Sequence, residues 1–237
     1  MKRIMTIQDI SCVGQCSLTV ALPILSACGL ETCILPSAVL STHTGGFEGW
    51  TFRDLTDDIP AIVDHWEKEQ ITFDAIYTGY LGSKRQIELV KDMFCRLSAP
   101  GCLKVVDPAM ADNGKLYYGF DEAFAHEMGT LCGKADIALP NITEAAMMTD
   151  MPYIGEGYDE AYIRELMEKV LSLGAKTVVL TGVSYNKDEL GAAVLSKGDA
   201  EISCGRRGEL RLWQNGQVAV LFENGAFHLP DVGKALL

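Results

Sequence analysis

The chain has 237 residues, 48% hydrophobic and 22% charged, with 20 Lys plus Arg against 32 Asp plus Glu for a formal charge of −12. That balance excludes a basic nucleic-acid-binding surface, and the apolar content excludes an intrinsically disordered chain. A chain this long buries roughly 70% of the surface it exposes when unfolded, enough for one substantial core, and one α/β domain over residues 1–237 accounts for it.

The N-terminus meets Gln8 and Asp9 before an apolar segment develops, so it does not read as a secretory signal. No apolar run approaches the ~18 residues that span a bilayer. A soluble, cytoplasmic protein without a membrane partner is expected. Arg3 to Ile10 reads as the first strand, the polar turn Ser11 to Gln15 follows, and a helix runs from about Ser17 to Cys28, closed by Gly29. Thr32 to Leu40 is a second strand, and Ser41 to Trp50 is a loop by its Gly and small polar content.

Asp57-Asp58-Ile59-Pro60 opens a helix that continues to Glu69; Phe73 to Thr78 is a short buried strand. Ser83 caps a helix over Lys84 to Leu97, and Leu103 to Val106 is a strand ending on Asp107-Pro108. Beyond a Gly- and Asn-containing loop, Asp121 to Cys132 is helix, Asp136 to Leu139 strand, and Asn141 caps Thr143 to Thr149. The helix Asp159 to Leu173 ends at Gly174, and Thr177 to Leu180 leads into Thr181. Such alternation predicts βα units feeding a mostly parallel sheet. Gly191 to Leu195 and the hairpin-like 210–220 carry antiparallel signals instead. The eight cysteines lack C-x-x-C spacing and are expected to be mostly reduced and buried; Cys12 and Cys16, flanking a glycine loop, are weighed as a redox or metal pair.

Ligands of open α/β sheets lie beyond the carboxyl ends of the strands. Those ends carry Asp9 and Ser11, His43 and Thr44, Thr78 and Tyr80, Asp107, Asn141 and Glu144, and Thr181. Each also has a plain local reading: Ser11 as a turn or cap, Asn141 as an N-cap, Asp107 before Pro108 as a turn former. His43 reads equally as a base or as a ring that packs on or hydrogen-bonds to a ligand. Acids at 107 and 144 on one rim suit Mg²⁺ held directly or through water beside nucleotide phosphates. The chain lacks the P-loop, the dinucleotide-binding G-x-G-x-x-G, H-E-x-x-H and G-x-S-x-G.

Six ordered segments, Gln8–Gly14, Ser41–Phe47, Thr78–Ser83, Val106–Asp112, Leu139–Ala145 and Leu180–Ser184, resemble the pyridoxal kinases of the ribokinase-like superfamily. The resemblance covers Arg3 to about Lys197 and implies a three-layer α/β/α fold. By it, Ser11 and Thr44 contact the pyridoxal ring substituents and Tyr80 packs near the ring. Asp107, Asn141 and Glu144 serve the Mg-ATP side, and Thr181 lies by the phosphates. It implies ATP and Mg²⁺ as requirements, transfer of the γ-phosphoryl to the 5′ hydroxyl of a B6 vitamer, and a homodimer. Hydroxymethylpyrimidine, the substrate of a related branch, is an alternative acceptor.

The family's Gly-Thr-Gly-Asp segment, with its anion hole and aspartate base, does not occur here. Residues 1–203 are family-like; 204–237 diverge. In the corresponding stretch, Phe227 to Ala235, Asp231 is the nearest acid, and Pro230 before it has no N–H to donate. A catalytically impaired protein that binds a vitamer or a partner is therefore a competing expectation. An altered reading frame or a shortened gene is one origin for such a tail.

Overall fold

The computed structural model describes residues 1–186 and 189–208. In chain order the elements are β1 (Arg3–Ser11), α1 (Leu18–Ala27), β2 (Glu31–Leu40), β3 (Phe52–Asp54), α2 (Ile59–Lys68) and β4 (Phe73–Thr78). Next come α3 (Lys84–Arg96), β5 (Ser98–Val106), β6 (Ala111–Asp112), β7 (Lys115–Leu116), α4 (Glu122–Cys132) and β8 (Ile137–Ala138). The described part closes with α5 (Ile142–Met148), α6 (Glu160–Ser172), β9 (Thr177–Val183), β10 (Glu189–Ser196) and β11 (Ser203–Gly208).

Nine strands form one sheet in the order β11-β10-β9-β8-β5-β4-β1-β2-β3. The run from β2 to β9 is parallel, while β3, β10 and β11 add antiparallel edges. Helices cover both faces, as a parallel sheet requires, because its strands are apolar on both sides. β1 shows the consequence: Met5 and Ile7 enter the large core shared with α2 to α6, whereas Ile4 joins Leu30 and Ala75 in a smaller cluster with Leu25 of α1. The expected three-layer α/β/α architecture is present.

Caps place the helices much as their sequences imply. Ser83 accepts a hydrogen bond from the Gln86 N–H, Asp121 from Phe124, and Asp159 from Tyr162. Behind its cap, α3 buries Ile87, Val90, Met93 and Phe94, and α6 buries Ile163, Leu166, Met167 and Val170 at helical spacing.

The chain departs from the sequence-based expectation in four places. β3 forms within what looked like unstructured connection, and β5 begins at Ser98 because its Pro and Gly disguise an extended run. The loop after β5 holds a small hairpin: β6 and β7 pair Asp112 with Lys115 across Asn113-Gly114, both at positive φ, the requirement of a tight two-residue turn. Cysteines are less buried than expected; Cys16 and Cys132 are enclosed, but Cys12, Cys28, Cys95 and Cys204 are exposed, and no two of the eight are joined in a disulfide. The proposed hairpin at 210–220, Pro230 and Asp231 lie outside the described residues.

Candidate functional site

Strand order reverses at β1, which has β2 on one side and β4 on the other. Chain connections diverge there, where this architecture usually takes its ligand in a crevice above the carboxyl ends. Ser11 ends β1 and Tyr80 follows β4, so the two flank it. Asp9 and Ser11 sit two residues apart, on one face of the strand, and both are buried. The Ser11 hydroxyl donates to Asp9 Oδ2 at 3.0 Å. Tyr80 stacks at a tilt on Phe120 with centroids 5.7 Å apart. Burial pushes its phenol up to about 12, and the negative charges of Asp9 and Asp54 add to the shift. Asp9 therefore links Ser11 and Tyr80 electrostatically.

The 41–50 loop is pinned to the same corner. The His43 N–H donates to the Val13 carbonyl at 3.1 Å, and the His43 ring covers Gly14. Gly14 has φ +99°, and a Cβ there would fall 1.9 Å from His43 Cδ2, so only glycine fits. His43 Nδ1 accepts from the Gly45 N–H at 3.2 Å, which leaves Nε2 as the proton-bearing nitrogen of the neutral ring. That tautomer presents a donor and favours ligand contact over the base reading. Thr44 follows on the exposed part of the loop.

On the other half of the rim, Asn141 and Glu144 form a reciprocal capping box at the start of α5. The Asn141 N–H donates to Glu144 Oε2 at 2.8 Å, and the Glu144 N–H to Asn141 Oδ1 at 2.9 Å. Glu144 Oε1 accepts from the Met110 N–H at 3.1 Å, and Asn141 Nδ2 donates to the Ala111 carbonyl at 2.8 Å. Those bonds fasten the loop after β5 to α5. Asn141 bridges Thr181 as a parallel extension of the sheet, with the Thr181 N–H on the Pro140 carbonyl at 2.9 Å.

Asp107 follows β5 on the same rim, and its N–H donates to the Thr78 carbonyl at 3.0 Å. The residue keeps an open edge while its carboxyl is enclosed; burial raises it to about 7, and a hydrogen bond from the Tyr77 hydroxyl pulls it back. Burial raises Glu144 well above the usual range, and the neighbouring Asp107 charge raises it further. The Asp107 charge is thus felt at Glu144.

Mg²⁺ beside a triphosphate takes one or two protein carboxylates and completes its shell with water and phosphate oxygens. Asp107 suits that donor set. Both oxygens of Glu144 already accept backbone N–H groups, so it can serve only through remaining lone pairs or an intervening water. Among the described residues no three His, Cys, Asp or Glu side chains are grouped to hold a metal ion, Cys12 and Cys16 included. Sequence reasoning passed over Tyr77 and Gln86. Tyr77 looked like strand packing; Gln86 was legible only as the last residue of Ser83-x-x-Gln86, a capping-box pattern.

The sheet and its flanking helices form the three layers of the ribokinase-like fold. More particularly, the chain belongs to the phosphomethylpyrimidine kinase family, whose profile matches residues 29–208. A Bacteroides thetaiotaomicron protein assigned to the same kinases is 39% identical, with TM-score 0.84 over 91% of this chain and 74% of its own. In a second crystal form that protein was crystallised with pyridoxal; this form is 38% identical, with TM-score 0.82 over 88% of this chain and 73% of its own. Pyridoxal kinase from Lactobacillus plantarum is 31% identical, with TM-score 0.81 over 91% of this chain and 76% of its own. Among curated proteins, pyridoxal kinase PdxY of Pasteurella multocida is 24% identical over 189 residues, 78% of this chain and 64% of that protein. The chain thus spans somewhat under two thirds of the curated relatives it matches.

Replacing Gly14 with Ala should lower unfolding free energy by about 1–3 kcal/mol in a urea titration, since φ is strained and the His43 ring must move. A pH series tests the carboxyl pair. The folded pKa of Asp107 is above its unfolded value of 3.8, so its contribution to stability is full below about 4 and lost as pH rises through about 7. Asp107→Asn should therefore melt higher than the native protein by an amount that grows between pH 4 and 7, to at least about 2 °C. A constant difference across that range would contradict the assignment.

Proposed function

We propose that the protein is an ATP- and Mg²⁺-dependent kinase that transfers the γ-phosphoryl group to the 5′ hydroxyl of pyridoxal, pyridoxine or pyridoxamine. One observation carries the reading: the parallel sheet order brings the strand ends that carry Asp9, Ser11 and Tyr80 to the same edge as those that carry Asp107, Asn141, Glu144 and Thr181. The pyridoxal-bound Bacteroides form supports the acceptor class. We read 1–237 as one kinase domain.

In this reading Ser11, His43 and Thr44 hydrogen-bond the ring substituents, and Tyr80 lies against the ring. The Nε2–H of His43 and the Ser11 hydroxyl, oriented by Asp9, orient the acceptor. Asn141 and Thr181 border the nucleotide phosphates. Asp107, assisted by Glu144, holds the cation, which when bound screens the phosphates and draws charge from the transferred group. As the new O–P bond forms and the β–γ bridge breaks, ADP leaves and the hydroxyl proton must pass to a base. Asp231 is the candidate, and it lies outside the described residues.

The sequence-level loss of Gly-Thr-Gly-Asp favours a second reading, a vitamer-binding protein with impaired transfer. A homodimer in the cytoplasm belongs to the first reading. α1 supports the dimer: its sequence is nearly all apolar, yet only Leu18 is buried and Ile24 is 47% exposed. No helix among the described residues is long and apolar enough to cross a membrane.

Purified protein mixed with pyridoxal and Mg-ATP should form pyridoxal phosphate, followed by absorbance, and Asp231→Asn should abolish it. Binding of pyridoxal without turnover would select the second reading. Preferential turnover of hydroxymethylpyrimidine would change the acceptor, and neither binding nor turnover with any of them would refute the kinase reading. Light scattering tests the dimer separately: the native protein should be dimeric and Ile24→Asp shifted to monomer, whereas a monomeric native chain removes that part.

A further inference from the structure

Gln86 is fully buried at the third position of α3, where a polar side chain needs a reason. In a simple capping box its side chain would return to the N–H of the cap residue Ser83. It reaches elsewhere. Its Oε1 accepts from the Gly82 N–H at 2.7 Å; its Nε2 donates to the Ser37 carbonyl at 2.9 Å and to Thr56 Oγ1 at 2.9 Å, with Asp54 Oδ1 at 3.3 Å. One amide therefore ties together β2, the segment after β3 and the loop after β4.

Ser37 completes the link to the crevice, because its hydroxyl donates to the Tyr80 carbonyl at 2.9 Å. The segment 80–82 is thereby held at both ends, at Tyr80 by Ser37 and at Gly82 by Gln86. Capping α3 does not need this arrangement, since Ser83 Oγ already accepts the Gln86 N–H at 3.3 Å. What it fixes is the height and tilt of the Tyr80 ring against Phe120.

We propose that Gln86 is a positioning residue for the substrate: through Gly82 and Ser37 it sets the Tyr80 ring at the spacing that seats a flat heteroaromatic acceptor. The proposal rests on the kinase reading and adds to it a specificity determinant that touches neither substrate nor nucleotide. The bonds of this amide run to β2, Thr56 and the Tyr80–Gly82 segment, away from Asp107, Asn141, Glu144 and Thr181, so its loss should weaken the vitamer and spare the nucleotide.

Calorimetric titration of pyridoxal and, separately, of Mg-ADP tests it on native protein, Gln86→Leu and the milder Ser37→Ala. The expected result is a pyridoxal Kd raised about tenfold in Gln86→Leu and about threefold in Ser37→Ala, with the Mg-ADP Kd within about twofold of native. A fall in melting temperature with an unchanged pyridoxal Kd would overturn the proposal, as would an equal loss for both ligands. Should Gln86→Leu not fold, Ser37→Ala decides by the same criteria. Native protein that binds Mg-ADP but not pyridoxal overturns the acceptor assignment and this proposal with it; native protein that binds neither overturns the kinase reading itself.

Discussion

The commitment of both Glu144 oxygens to backbone N–H groups is the interaction on which the half of the rim built from β5, β8 and β9 depends. A carboxylate out of water is costly unless several donors replace its hydration, and bonds to a charged group contribute more than neutral ones. Glu144 finds those donors at Asn141 and Met110, which belong to different segments. The same bonds that make its burial tolerable therefore lock the loop after β5 against the start of α5. Asn141 reinforces the lock through Ala111 and carries it on to Thr181. Three strand ends become one rigid edge, and Asp107 is presented from it.

The half of the rim at β1, β2 and β4 is held by a different kind of tie. Its groups come from loops that a parallel sheet leaves unpaired, and each loop needs an anchor of its own. Gly14 supplies one by allowing the His43 ring onto the backbone, and Gln86 supplies another by spending its amide on three neighbouring segments. Short-range polar ties place the groups, while the apolar layers beneath hold the strands in register. Precision at the rim and stability in the layers come from separate residues.

Most of the fold was legible because its signals are local. Alternating apolar strands and capped amphipathic helices can be read from a few residues: the Ser83 and Asn141 caps stand where the sequence puts them, and Asp121 and Asp159, read as first helical residues, are the caps one position before their helices. β3 was not legible: its three residues are all exposed, and only pairing with β2 makes them a strand. The Asn113-Gly114 turn was legible in principle, but two-residue strands give no alternation to flank it. Strand ends pointed to Ser11, Tyr80, Asp107, Asn141 and Glu144 as rim residues, since topology alone carries them there. The roles of Gln86 and Tyr77 were hidden for the opposite reason: the Ser83-x-x-Gln86 pattern shows only a cap, while Ser37 and Thr56, and Asp107 for Tyr77, lie far away in sequence.

Electrostatics joins the two halves. Asp107 and Glu144 are enclosed within reach of each other's charge, so full ionisation of both is unfavourable in the protein alone. Each added proton relieves the strain, and so does a nearby cation, which favours the ionised forms that protonation removes. Tyr77 works in the same direction by donating to Asp107 from β4, which lies between β1 and β5. A rim that crowds two carboxyls at one end and carries the Ser11 and Tyr80 hydroxyls at the other is therefore suited to attract positive charge at the first and to offer hydrogen bonds at the second. The proposed phosphoryl transfer to an alcohol would use that asymmetry: phosphates require screening where the donor sits, and an acceptor hydroxyl requires orientation where it attacks.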